Sequence, residues 1–272
     1  MELEESMMRQ ISVLLLMVVG FWSMSAYAAL TEGEAVNRAG QQRMLSQRMA
    51  KSWALLAQHS MFAVQKEQLV QSMHRFEDNL QQLQAYNAQQ GGVLQQPLLA
   101  LTQQWGAYRA VLLSEPQMIQ VPQLLAQSEQ TLQKAEVLVK QLMAQSKSGG
   151  LAEVVAVSGR QRMLSQRIAL FYAVSTTTAD QAQARQQAII GFEQALGRLQ
   201  GYAGNTPALQ QLLRDVSIRW NFAKHIFEQP KPLFRVLDTT CEQLLTQMDQ
   251  ATTLYAALKQ PVPLAQKIHE HL

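Results

Sequence analysis

Apolar residues recur every three to four positions in eight long stretches of this chain, with turn-forming residues between them. The pattern predicts helices over roughly 31–58, 61–88, 97–114 and 122–145, then over 151–175, 179–202, 207–228 and 233–258. Gln89-Gln90-Gly91-Gly92, Ser114-Glu115-Pro116, Gly204-Asn205 and the Pro230/Pro232 pair supply the breaks. Residues 146–150 separate the fourth stretch from the fifth. Because periodicity holds on both sides, they are read as a kink in a near-continuous helix, with a hinge as the alternative. Long helices joined by short turns make antiparallel up-down bundles.

The eight stretches fall into two sets of four. Residues 39–49 read AGQQRMLSQRM and residues 158–168 read SGRQRMLSQRI, 119 positions later. Phe76-Glu77 corresponds to Phe192-Glu193 and Trp105 to Trp220; Leu124-Leu125 is matched with Leu244-Leu245. The expected fold is therefore all-α: two tandem antiparallel four-helix bundles, over 31–148 and 151–260, after an N-terminal signal peptide.

On a wheel centred on Leu45, the residues Met49, Ser52, Trp53 and Leu56 form the core stripe, with Arg48 on its flank and its charge in water. Arg43 falls about 160° away, on a second seam with Val36, Gly40 and Gln47. The second copy repeats it with Gly159, Arg162 and Gln166, and has Ala156 where the first has Asn37. A glycine beside an arginine, facing away from its own core, points to close packing against another helix with a guanidinium in the contact. A buried guanidinium fork needs a planar anion or a carboxylate, and two such arginines repel unless an anion lies between them. The competing reading is that both glycines and arginines serve packing alone.

Composition narrows the function. The chain is 47% hydrophobic and only 16% charged, so glutamine fills much of the polar surface, as suits a helical protein. Residues 11–22 form a short apolar core followed by Ala26-Tyr27-Ala28, which reads as a signal peptide over 1–28; an uncleaved anchor is the alternative. Both put the remainder in the periplasm, free or anchored to the inner membrane. Without residues 1–28 the chain holds 22 Lys+Arg against 17 Asp+Glu, too small and too scattered an excess for nucleic acid. Cys241, the single cysteine, reads as an apolar filler. His59, His74, His225, His269 and His271 are scattered without metal spacing, and no nucleotide loop or serine elbow appears. No enzyme, cofactor or metal is expected.

The box Asn37, Ala39, Gly40, Arg43, Met44, Ser46, Arg48 resembles that of the N-terminal sensor module of type IV pilus methyl-accepting chemotaxis transducers (PilJ-type), related to the periplasmic nitrate/nitrite sensor domains of NarX-type kinases. The second copy matches at Gly159, Arg162, Met163, Ser165 and Arg167, but its stretch Ala156-Val157-Ser158 lacks the Asn and Ala of the box. In the nitrate sensors the first arginine of the box holds the anion at a dimer interface. The resemblance thus implies ligand-binding roles for Arg43 with Gly40 and for Arg162 with Gly159. Asn37, Gln47, Arg48, Gln166 and Arg167 would be secondary, with Arg48 and Arg167 as packing or relay residues. It implies a non-catalytic sensor of a small anion. To Leu272 no second apolar span or output domain is evident, so a membrane-bound receptor, kinase or chemotaxis transducer is the expected partner, and a homodimer a further option. The alternative function is a structural adaptor that docks a chemoreceptor or kinase without a small ligand.

Overall fold

The computed structural model describes residues 30–58, 62–145, 150–174 and 178–258. The signal segment, the join at 146–149, and His59, His269 and His271 lie outside them. Among the described residues there are eight α-helices, one short 3-10 turn and no strand. The helices are α1 (Glu32–Ala57), α2 (Phe62–Gln89), α3 (Gln95–Leu112), α4 (Val121–Gln145), α5 (Gly150–Val174), α6 (Ala179–Gln200), α7 (Pro207–Phe227) and α8 (Phe234–Ala257). No helix among the described residues is long and apolar enough to cross a membrane.

Local chemistry sets the ends. Thr31 and Glu34 form a reciprocal capping box that starts α1. Thr178 and Thr206 cap α6 and α7 through their side chains, and Pro207 follows the second cap. Between α2 and α3 the chain turns through Gly91 and Gly92, at φ 75° and 81°, a region open to glycine. The Asn87 Oδ1 accepts the Leu94 amide at 2.7 Å and closes that turn.

α1 packs on α2, α4 and α5, and α5 on α6, α8 and α1; α3 lies against α4 and α7 against α8. The most extensive contact of all is α1 against α5. The two motif helices therefore form a central pair, and both halves share one continuous apolar core running from Ala35 to Tyr255. The pair runs parallel: Asn37 meets Arg162, Gln47 meets Arg167, and Gln58 donates to the Ala173 carbonyl at 2.8 Å.

The halves repeat their internal contacts. Gln42 donates to the Phe76 carbonyl at 3.0 Å and Gln161 to the Phe192 carbonyl at 2.9 Å. Phe76 and Trp105 have ring centroids 4.5 Å apart, as do Phe192 and Trp220. Each indole donates to the glutamate after the phenylalanine, Glu77 or Glu193. These equivalences follow the sequence repeat. The fourth helices do not. Gln47 donates to the Ser128 carbonyl and Gln166 to that of Cys241, so α4 and α8 correspond at an offset of 113, not the 120 that the Leu-Leu pairs imply. The difference is seven residues, two helical turns, which restores the same helix face; a leucine stripe alone does not fix such a register.

Candidate functional site

The wheel places Arg43 on a seam away from Leu45, and the fold buries both faces. From Ala39 to Ala57 nearly every residue of α1 is buried, the Leu45–Met49–Trp53 stripe against its own half and the Gly40–Arg43–Gln47 seam against α5. Arg43 is 3% exposed and Arg162 0%.

The two glycines make the crossing tight. A Cβ built on Gly40 would stand 3.3 Å from Arg162 Nη2 and 3.6 Å from Arg43 Nη2; one built on Gly159 would meet the same two atoms at the same distances. The Nη2 atoms of both arginines thus lie between the two glycines, where α1 and α5 cross. Each arginine reaches across to the other helix. Arg43 Nη2 donates to the Ala156 carbonyl at 3.3 Å, and Arg162 Nη2 to the Asn37 carbonyl at 3.4 Å and to Asn37 Oδ1 at 2.8 Å. Ala156 and Asn37 are the equivalent positions noted in the sequence, so the repeat carries the backbone contact and only the first copy adds a side-chain acceptor.

Each arginine also takes a carboxylate from the fourth helix of its own half. Arg43 Nη1 lies 2.7 Å from Glu136 on α4, and Arg162 Nη1 pairs with Asp249 on α8. Both carboxylates sit at the rim, with side chains 34% and 49% exposed. Burial pushes the Arg162 guanidinium down from its ordinary value, Asp249 opposes that, and the neighbouring Arg43 adds to it. For Glu136, burial raises the carboxyl, but Arg43 and the more distant Arg160 and Lys140 outweigh it and hold it below the usual range. The Nε atoms of Arg43 and Arg162 are buried without a hydrogen-bond partner among the described residues.

The second arginines of the motif lie one to two turns along and reach the opposite half. Arg48 grips Glu242 on α8 through Nε at 3.0 Å and Nη2 at 2.7 Å; Arg167 meets Glu129 on α4 at 2.6 Å and Gln47 Oε1 at 3.0 Å. Arg48 thus does not leave its charge in water as its flanking position implies: its side chain is 16% exposed and its charge is paired. Gln166 donates to the Cys241 carbonyl at 3.2 Å.

Several partners are absent from the sequence reading. Lys51, 0% exposed, lies 2.6 Å from Asp238 and 2.5 Å from Glu242, beside Arg48. Burial raises the Glu242 carboxyl, but Lys51 and Arg48 overcome this and bring it to about 2. Glu136, Asp249, Glu129 and Glu242 had one available signal: both fourth helices carry an acidic pair seven residues apart, Glu129/Glu136 and Glu242/Asp249, on the same face. Cys241 is buried, which pushes its thiol up to about 12, so it is an inert filler. His74 is exposed, and His225 lies on the surface beside Glu228. No cluster of three or more His, Cys, Asp or Glu among the described residues could hold a metal ion.

The described residues form an all-α fold built on a parallel helix pair, with an arginine of each helix against a glycine of each. The chain belongs to the type IV pili methyl-accepting chemotaxis transducer N-terminal family, whose pattern matches residues 28–139 and again residues 143–260. It is accordingly a non-catalytic, PilJ-type sensor and signalling domain. Neither the curated proteins nor the solved structures searched gave a match.

Proposed function

We propose that the chain is a periplasmic sensor in which Arg43 and Arg162, between Gly40 and Gly159, recognise a small nitrate-like anion. Its two tandem modules, 31–148 and 151–260, each contribute one arginine and one glycine, like the two copies of a NarX-type dimer. The observation that carries this reading is the meeting of two buried guanidinium groups between the two glycines, each with an unpartnered Nε. An anion there relieves the repulsion between like charges that burial strengthens. Both helices of the site belong to one chain, so a homodimer is not required. Asn37, Gln47 and Gln166 support the pair, and Arg48 and Arg167 relay a change in α1–α5 packing to α8 and α4. A membrane-bound receptor, kinase or transducer reads that change.

One observation favours the adaptor reading instead. Glu136 and Asp249 already neutralise the two arginines, so the crossing is electrostatically complete without a guest. Under the sensor reading the anion displaces these half-exposed carboxylates toward water. Thermal unfolding in nitrate against chloride at equal ionic strength separates the two. A sensor gains stability with nitrate, by roughly 2–3 kcal/mol at about a hundred times Kd, and Arg43→Ala or Arg162→Ala removes the gain. Equal unfolding in nitrate, nitrite and chloride, with a membrane receptor co-purifying, supports the adaptor.

A further inference from the structure

A polar cleft lies next to the arginine pair, where the start of α1 meets α2 and the last turn of α8. Its volume is about 450 Å³, within the range of small-molecule sites. Glu34, Arg38 and Gln41 on α1, Arg75 on α2 and Thr253, Ala256 and Ala257 on α8 line it. Asn79, fully buried, sets the geometry: its Oδ1 accepts from Arg38 Nη1 at 3.0 Å and its Nδ2 donates to Gln41 Oε1 at 2.9 Å. Arg75 lies one turn before Asn79 on the same helix face.

Among the described residues neither Arg38 nor Arg75 makes a salt bridge, and the Nε of Arg38 is buried with no acceptor; the Glu34 carboxylate on the cleft wall feels the Arg38 charge without bonding to it. The nearby Glu34 is committed to the cap of α1, its Oε2 accepting from the Thr31 amide at 2.7 Å and hydroxyl at 2.8 Å. The repeat excludes a structural explanation shared by both halves: Val157 stands at the position of Arg38 and Gly191 at that of Arg75. These arginines belong to the first half alone and are not needed to build the fold twice.

We propose that this cleft binds a small organic carboxylate, its carboxylate held by Arg38 and Arg75 and its carbon body over Ala256 and Ala257. A guanidinium fork matches a carboxylate in a bidentate fashion, and the alanine methyls suit carbon where an inorganic anion would gain nothing. The cleft also touches the central crossing. Asn37 lines it while its Oδ1 holds Arg162, and Thr253 lies one turn beyond Asp249, the other partner of Arg162. An occupant here bridges the first two helices to the last and bears on how Arg162 is held.

The test is calorimetric titration of the chain with succinate, citrate and glutamate, and with sulfate as the inorganic control. The expected result is saturable binding of at least one carboxylate, tighter than sulfate. Arg75→Gln should weaken it about tenfold or more, and Arg75→Lys should weaken it by less, because charge survives but the fork is lost. Arg75 is exposed and makes no hydrogen bond or ion pair among the described residues, so neither variant endangers folding. No saturable binding tighter than about 10 mM, equal affinity for sulfate, or carboxylate affinity unchanged in Arg75→Gln each overturns the proposal.

Discussion

The Lys51 cluster gives the sharpest test of how the two halves are joined. Lys51 on α1 is fully buried between Asp238, 4% exposed, and Glu242, 21% exposed, both on α8 of the other half. Replacing it with leucine leaves Asp238 charged in the core with only Gln65, whose amide donates to it at 2.9 Å. Glu242 keeps Arg48. Breaking a buried pair by removing one member costs about 3–5 kcal/mol, most of it from the charge left behind. The repeat supplies the compensating change. Leu170 occupies the Lys51 position in the second copy and is buried, and Leu125 stands where Asp238 does at the structural offset of 113. The double variant Lys51→Leu/Asp238→Leu thus gives both positions the residue that the other half carries at the equivalent place. It should recover most of the loss, retaining a deficit of about 1–2 kcal/mol because the buried Gln65 amide loses its acceptor. Urea unfolding followed by circular dichroism measures both, with a coupling of about 2 kcal/mol or more between the sites. A single variant within about 1 kcal/mol of the parent, or a double no more stable than the single, refutes the buried ion cluster.

Other consequences are independent of this one. Gly106 on α3 has nothing within 4 Å of a built Cβ, so Gly106→Ala should stabilise by about 0.5–1 kcal/mol in a denaturant titration. Gly40→Ala should lose that gain, because its methyl meets Arg162 Nη2 at 3.3 Å and that group is pinned by Asp249 and Asn37; an equal gain at both sites contradicts the tight crossing. The Glu242 carboxyl is held at about 2 against an ordinary 4.5, so its contribution is present above pH 4.5 and fades as the pH falls toward 2. That depression corresponds to about 3 kcal/mol, and unfolding free energies measured between about pH 5 and pH 3 should fall less steeply in Glu242→Gln than in the parent.

Helix periodicity was legible because it is local. α1, α4 and α7 begin and end within two residues of where spacing and punctuation put them. The repeat also disclosed Gly40, Arg43, Gly159 and Arg162 as a shared seam, and the fold brings all four together. What was not legible is non-local. The partners of those arginines come from helices about 90 positions away, and their acidic residues look like ordinary solvated positions on amphipathic helices. Register failed for the same reason: sliding α8 by two turns leaves its apolar face unchanged, so Leu244-Leu245 could not reveal it. Lys51 was missed because a lysine beside a core stripe ordinarily extends its amine to solvent, and only the approach of α8 closes that route.

The central claim is that one chain assembles from its two copies what a dimer of single modules would share. Calorimetric titration with nitrate, on protein whose mass in solution is measured in the same buffer, addresses it directly. The expected result is one nitrate per chain on a monomer, with binding lost in both Arg43→Gln and Arg162→Gln. One nitrate per two chains, or full binding after either substitution, would contradict an intramolecular arginine pair as the recognition site.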